Sequence, residues 1–143
     1  MNAAVDRIVA LFQGFAPPDL QRLPLFYTPD AYFKDPFNEV LGLPRISAIY
    51  AHMFEALEAP RFIITTQLVQ GNECFLAWEF RFRNKRMQGG AEQVVIGSSH
   101  LKLADDGRIR WHRDYWDAAE EVYAKLPVLG ALMRWLQKKG AAA

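Results

Sequence analysis

The chain has 143 residues, enough for one domain with a sizeable core, and 51% of them are hydrophobic. Its formal net charge is only +1, and no basic stretch is interleaved with aromatic residues, so a nucleic-acid-binding surface is excluded. Cys74 is the only cysteine, which excludes an internal disulfide and a thiolate metal cluster, and no apolar run approaches the ~20 residues that span a bilayer.

The first part of the chain is predicted to contain a helix, a turn and a short strand. Residues 19–23 can add a short second helical turn. Residues 28–30 (Thr-Pro-Asp) have the composition of a turn, and residues 31–35 form an extended run that ends before a proline. A glycine and two prolines end the first helix. In it, apolar residues recur at helical spacing: Val5, Ile8, Val9, Phe12 and Phe15.

The middle of the chain changes from helical to strand periodicity. Residues 45–58 form a predicted helix, because apolar residues follow one face until a proline at position 60. Residues 62–70 and 74–83 are predicted strands joined by a Gly-Asn hairpin turn. The second strand has one apolar and one polar face, since Leu76, Trp78, Phe80 and Phe82 alternate with Ala77, Glu79, Arg81 and Arg83.

The last part of the chain continues the antiparallel meander and then returns to helices. Residues 91–104 are a predicted third long strand, an Asp-Asp-Gly turn follows, and residues 108–116 are the fourth. Asp117 is expected to cap a helix and Pro127 to open a last one. We therefore predict one domain over residues 1–143, with a core at about 3–117 and C-terminal helices at 118–139.

This order of elements predicts an α+β fold. A curved, cone-shaped antiparallel sheet would wrap around the N-terminal helices, with a C-terminal helical extension. Such a sheet leaves an opening at its wide end, where a ligand would sit. Ten Phe, five Tyr and four Trp supply more large apolar surface than a core of this size needs. The surplus favours a lined cavity or a dimer interface.

Asp35 is the first candidate for chemistry. On an extended run it shares a face with Phe33. If Phe33 packs inward, the Asp35 carboxylate follows it into apolar surroundings, which suit a general base. Alternatively, Asp35 ends the strand and accepts hydrogen bonds from the next turn. The sequence leaves both interpretations open.

The stretch at residues 111–117 is the densest polar and aromatic cluster of the chain. Strand periodicity places His112, Asp114 and Trp116 on one face, roughly 6–7 Å apart, so one small ligand could touch all three. A His/Asp pair can shuttle protons, and an indole can stack on a planar substrate. Alternatively, Asp114 pairs with an arginine such as Arg81 or Arg110 on a solvated or interface face.

The other histidines are weaker candidates. His52 lies at the flank of the apolar helix stripe, either as a pocket-lining donor or as a partly buried surface residue. His100 alternates with Ser99, and either can face inward. The histidines lack the spacing of a zinc motif, and no phosphate loop, nucleophile elbow or dinucleotide fingerprint occurs. We therefore expect no metal and no cofactor.

With these residues in view, the chain resembles the SnoaL-like / ketosteroid-isomerase-like superfamily, which has the nuclear-transport-factor-2-like fold. The resemblance lies in residues 32–38, 46–57 and 94–117, and it implies a cystatin-like roll with an apolar pocket. In ketosteroid isomerases the general base is an Asp before a Pro at the end of the first short strand, which matches Asp35. Their tyrosine donor would lie on the first helix, which here carries Leu11, Phe12 and Phe15, and their second acid matches Ser99.

Other members of the superfamily point to the last strand. SnoaL-like cyclases use an aspartate there as the acid–base residue, so the resemblance assigns that role to Asp114. Limonene epoxide hydrolase uses an Asp–Arg–Asp set, and Ser98-Ser99-His100 stands where its Arg-x-Asp is expected, which speaks against epoxide hydrolysis. Members commonly dimerise through the convex sheet face, which here would carry Glu79, Arg81 and Arg83.

Three functions therefore remain open: an acid–base enzyme of the isomerase, cyclase or hydrolase type, a non-catalytic binder, and a dimeric interaction module. The enzyme or binder would take a small apolar or polycyclic molecule. We expect a cytoplasmic homodimer with no nucleic-acid or membrane partner. The candidate catalytic residues are Asp35, His112 and Asp114. The candidate substrate-binding residues are Phe12, Phe33, His52, Trp78, Phe80, Ser99 and Trp116.

Overall fold

The computed structural model describes residues 2–86 and 88–118, together with residues 132, 135, 136 and 138–140. Between the first helix and the first strand lies a 3-10 helix, Pro17–Leu25, and a short one, Gln88–Gly90, precedes the fifth strand. The other elements are α1 (Ala3–Gln13), β1 (Tyr27–Lys34), β2 (Glu39–Leu41), α2 (Leu43–Ala56), β3 (Glu58–Gln70), β4 (Glu73–Arg83), β5 (Glu92–Leu103) and β6 (Ile109–Tyr115).

The six strands form one curved sheet in the order β2-β1-β6-β5-β4-β3. This architecture confirms the predicted α+β fold. Strands β3 to β6 are an antiparallel meander, as predicted. The pair β1 and β6 is instead parallel, because the chain between them crosses through α2 and the whole meander. The predicted helices at 118–139, with their Asp117 cap and Pro127 start, fall largely outside the described residues.

Helices α1 and α2 cover one face of the sheet, which we call the inner face. The Asn2 side chain caps α1 by accepting a hydrogen bond from the Val5 N–H at 3.1 Å. In α2, the predicted apolar face points to the sheet, with Ile46 and Tyr50 buried. The opposite, outer face of the sheet is not covered by either helix. The fold thus has an apolar layer between the helices and the inner face of the sheet, in which a cavity can form.

The starts of β1 and β3 lie several residues before the predicted ones, and both differences involve prolines. Residues 28–30 were predicted as a turn, which is wrong, because they belong to β1. There residues 28–31 lie opposite residue 110 alone, so Pro29 sits in a bulge where no ladder N–H is needed. Likewise β3 starts at Glu58 rather than at residue 62, and Pro60 lies at a second register shift.

Gly97 of β5 is a point of close approach on the inner face. A Cβ atom at this position would lie 2.6 Å from Cη2 of Trp78 and 2.9 Å from the backbone oxygen of Tyr115. These separations are too short for any side chain. The glycine therefore allows the Trp78 indole to lie across β5 and the end of β6 to pass close to it.

We expect Gly97→Ala to lower the free energy of unfolding by about 1–3 kcal/mol, because the added methyl overpacks the contact with Trp78. Urea denaturation measures the change. Gly14→Ala is the matched control, since a Cβ there meets only Ala10 O at an ordinary 3.7 Å. An unchanged urea midpoint for Gly97→Ala would show that the close approach does not constrain stability.

Candidate functional site

The inner face of the sheet and α2 line an open cavity of about 340 Å³. Its polar lining includes Asp35, His52 and Asp114, and most of the remaining wall is aromatic. The rings belong to Phe33, Phe37, Tyr50, Phe62, Trp78, Phe80, Phe82 and Trp116. A cavity of this size and lining suits a small, largely apolar ligand.

Asp114 is held on the cavity wall by two short hydrogen bonds. The register pairs it with Ser99 across β5 and β6, and the Ser99 hydroxyl donates to Asp114 Oδ1 at 2.5 Å. His112 Nε2 lies 2.6 Å from the same oxygen, and Trp78 Nε1 donates to Ser99 Oγ at 2.9 Å. Among the described residues no hydrogen bond ends on Oδ2. The arrangement fixes the carboxylate through Oδ1 at a position where Asp114 lines the cavity.

The hydrogen-bond chain continues behind His112. Tyr27 Oη lies 2.7 Å from His112 Nδ1, and Tyr50 Oη lies 2.9 Å from Tyr27 Oη. One placement of protons satisfies every member: Tyr50 donates to Tyr27, Tyr27 donates to a neutral His112, and His112 donates to Asp114. Since polar groups buried without partners are costly, this chain fixes the orientation of the imidazole.

Burial controls the protonation of the two tyrosines. It raises the pKa of both Tyr27 and Tyr50 well above the usual tyrosine value. The neighbouring charges of Asp114 and Asp35 raise the pKa of Tyr50 further. Both hydroxyls therefore keep their protons at physiological pH and serve as hydrogen-bond donors.

Asp35 combines features of both interpretations of the sequence. It follows β1, and its Oδ1 accepts hydrogen bonds from Phe37 N at 2.8 Å and Asn38 N at 2.6 Å. The Asn38 side-chain amide donates to the same oxygen at 3.1 Å. Phe33 packs inward, and the half-buried Asp35 carboxylate also lines the cavity. Asp35 thus anchors a turn and faces the ligand space.

The remaining candidate residues divide into three groups. Phe12 and Phe33 pack their rings 6.4 and 4.7 Å from the His112 ring, and so surround the hydrogen-bond chain. Trp78 and Ser99 belong to that chain, whereas Phe80, Trp116 and His52 line the cavity. His52 is exposed at the edge of this lining.

Two alternatives from the sequence are now decided. His100 lies on the outer face, where its Nε2 is 2.8 Å from Glu73 Oε1, so Ser99 is the inward residue. Pairing of Asp114 with Arg81 or Arg110 is wrong, since Asp114 bonds to His112 and Ser99 on the inner face. Arg81 pairs instead with Glu79 and Glu92.

Sequence reasoning missed the two tyrosines of the chain. Tyr50 lies on the apolar face of the helix predicted at residues 45–58, and Tyr27 stands next to the segment predicted as a turn. A signal was present for Tyr50, because a tyrosine on a buried face needs a partner for its hydroxyl. The partner, however, comes from a strand 23 residues away, which periodicity does not reveal.

Other kinds of site have less support in the described part of the chain. It contains no group of three or more His, Cys, Asp or Glu side chains that could hold a metal ion. Burial raises the pKa of the Cys74 thiol to about 11, so Cys74 is a neutral thiol at physiological pH rather than an activated nucleophile. Among the described helices, none has the length and apolar character needed to cross a bilayer.

Comparison with known sequences identifies one family. A family profile described as a SnoaL-like domain matches residues 8–112, which is most of the chain. The matched segment includes His112, while Asp114 lies just beyond it. Curated protein sequences contain no significant match to this chain.

Solved structures with the same fold are numerous and distant in sequence. A Catenulispora acidiphila protein with a ketosteroid-isomerase-like fold, solved with trimethylamine, has a TM-score of 0.72 and 18% identity over 89% of this chain and 95% of that one. A SnoaL-like polyketide cyclase candidate from Jannaschia sp. CCS1 has a TM-score of 0.71 and 19% identity over 82% of this chain and 87% of that one. TerC, co-crystallised with polyporic acid, has a TM-score of 0.70 and 17% identity over 83% of this chain and 95% of that one. At these identities the similarity shows the fold alone.

The buried chain makes a direct stability prediction. Tyr27→Phe leaves His112 Nδ1 and the Tyr50 hydroxyl without their partner, so we expect the free energy of unfolding to fall by about 1–3 kcal/mol in urea denaturation. Tyr32→Phe is the matched control, because the Tyr32 hydroxyl donates to Glu39 at an exposed site and its loss should cost less than about 0.5 kcal/mol. Equal costs for the two variants would contradict the prediction.

Proposed function

Because the chain belongs to the SnoaL-like domain family, we propose that it is an acid–base enzyme acting on a small, mostly apolar or polycyclic substrate in the 340 Å³ cavity. Asp114 is the proposed proton acceptor. The observation that carries this proposal is a carboxylate on an aromatic wall, with Oδ1 held by His112 and Ser99. Such surroundings remove water from a base and fix its direction.

The proposed chemistry needs few parts. Asp114 Oδ2 removes a proton from a substrate carbon next to a carbonyl, and the electron pair moves into the carbonyl group. Return of that proton to another carbon of the substrate is an isomerisation. Attack of the carbanion on a second carbonyl instead closes a ring, and the alkoxide that forms takes the proton back from Asp114. His112 and Tyr27 act as positioning residues, since the hydrogen bonds between them keep Asp114 pre-oriented.

A non-catalytic binder is the second candidate. Its support is that the polar groups around Asp114 already satisfy one another, as they would in a passive pocket. Two proteins of similar structure were solved with trimethylamine and with polyporic acid, which supports a small-molecule ligand under either proposal. Turnover of a chemical probe separates the two candidates.

We expect the protein to open 5-nitrobenzisoxazole, a chromogenic probe of desolvated bases that requires no natural substrate. A base takes its C–H proton, the electron pair forms a nitrile, the N–O bond breaks and a coloured phenolate is released. Asp114→Asn should lower kcat/KM for this reaction by about 100-fold or more, because the amide cannot accept the proton. Absorbance of the phenolate measures the rate.

Two further variants serve as controls for the loss of a negative charge. Asp35→Asn removes the same charge from the same cavity, and Asp30→Asn removes it from an exposed site. Asp30→Asn should match the unmodified chain. A greater loss with Asp35→Asn than with Asp114→Asn would transfer the proton-accepting role to Asp35. Equal rates for the unmodified chain and for both cavity variants, Asp114→Asn and Asp35→Asn, would remove the enzymatic proposal and leave the binder.

We also propose that the protein is a homodimer that associates through the outer face of the sheet. This face carries exposed apolar side chains, among them Ile63, Phe75, Ile96 and Tyr115. Beside them lies a charged cluster in which Arg81 pairs with Glu79 at 2.7 Å. A mixed apolar and charged surface of this kind suits a specific interface. The buried, reduced Cys74 is consistent with a cytoplasmic location.

The dimer proposal is tested by placing a charge on this face. Ile96 is 64% exposed, so Ile96→Glu should leave the monomer folded while it abolishes association. Light scattering coupled to size-exclusion chromatography should then give the mass of one chain, against two chains for the unmodified protein. Leu25→Glu, at an equally exposed site on the 3-10 helix, should remain dimeric. A monomeric unmodified protein would refute the proposal.

A further inference from the structure

The charges around the cavity point to the class of its substrate. We propose that the cavity binds a molecule with a positively charged nitrogen, such as a protonated or quaternary amine. Asp35 and the Phe37–Trp116 ring pair form the subsite for the cation. The inference rests on the proposed function, since it concerns the same cavity, but it concerns recognition rather than turnover.

The first argument is the sign of the charge. Among the described residues that line the cavity, Asp35 and Asp114 are acidic, and none is a lysine or arginine. His52 is the one potential cation of this lining, and it lies at the exposed edge. Because the wall is mostly aromatic, water screens these charges less than at a surface. The described lining thus carries more acidic than basic side chains, which favours a cation over an anion.

A second argument is that both carboxylates act on one region. Tyr50 lines the cavity, and the charges of Asp114 and Asp35 both raise its pKa. Their fields therefore overlap at the cavity wall. Since Asp35 and Asp114 both line this cavity, the proposed cation lies in the field of both carboxylates.

The third argument is the geometry of the proposed subsite. The backbone N–H of Phe37 donates to Asp35 Oδ1 at 2.8 Å, so the carboxylate and the Phe37 ring belong to one tight turn. Phe37 meets Trp116 edge to face, with ring centroids 5.4 Å apart. The faces of aromatic rings attract cations, and indole does so most strongly. Asp35 and the two rings, whose planes are inclined at 76°, line the same cavity, and this combination suits an alkylated ammonium group.

The charge balance of the reaction leads to the same class of substrate. If Asp114 takes a proton from a neutral substrate, an anion forms close to Asp35 and is repelled. If the substrate carries a C=N⁺ group, loss of the neighbouring C–H proton gives a neutral enamine and a protonated Asp114. The negative base and the positive substrate then neutralise each other, so no new anion forms beside Asp35.

Three probes of the same shape test the proposal on the full chain. Choline, 3,3-dimethylbutan-1-ol and 3,3-dimethylbutanoate share a branched head group and differ in charge. Isothermal titration calorimetry, supplemented by ligand-observed NMR for weak binding, compares them. We expect choline to bind about tenfold or more tightly than the alcohol, and the carboxylate to bind most weakly. Binding of the alcohol or the carboxylate as tight as that of choline would overturn the proposal.

Variants then locate the subsite. Asp35→Asn keeps an oxygen that can accept from Phe37 and Asn38, so the turn is preserved while the charge is lost. The preference for choline over the alcohol should fall by about fivefold or more, with the alcohol affinity changed less than about twofold. Phe37→Leu removes a ring without changing charge and should also reduce the preference. An unchanged preference in both variants would exclude this subsite.

These outcomes are distinguishable from failure of the proposed function. Preference for choline without Asp114-dependent turnover of the benzisoxazole probe would retain the cation site and remove the enzyme. Turnover that depends on Asp114, with no preference for choline, would do the reverse. Circular dichroism of each variant confirms that the binding comparison is made on folded protein.

Discussion

The need to satisfy buried polar groups is the constraint on which the inner face depends. His112 of β6 is buried, and its two ring nitrogens bond to Tyr27 of β1 and to Asp114 of its own strand. Each of these partners needs its own partner, which brings in Tyr50 from α2 and Ser99 from β5. The parallel pairing of β1 with β6 and the position of α2 are therefore coupled through one continuous set of hydrogen bonds.

Sequence alone predicted those features that depend on neighbouring residues and missed those that depend on tertiary contacts. Alternation along β4 is a local property, and it correctly separated an apolar face from a charged one. The same reasoning placed His112 and Asp114 on one face of β6. The tyrosines were missed because their partners are set by tertiary contacts. Strand β2 was missed because three residues are too few to show any period.

Membership of the family explains the fold better than it explains the chemistry. A fold can host many reactions, and the side chains at the site decide among them. Here Ser99 stands where the resemblance placed a second acid, and it donates to Asp114 instead of acting on a ligand. The tyrosines come from β1 and α2 rather than from α1. The site is thus organised around one carboxylate and its supporting residues.

The bulge at Pro60 and the shortness of β2 also bear on how copies of the chain can meet. Strands β2 and β3, the latter containing Pro60, form the two edges of the sheet, where unpaired backbone groups favour aggregation. One edge offers only three residues. On the other, the proline interrupts the ladder, and the Ile64 N–H donates to the Gln13 side chain of α1 at 3.3 Å. Lateral growth into a continuous sheet is thereby opposed at both edges.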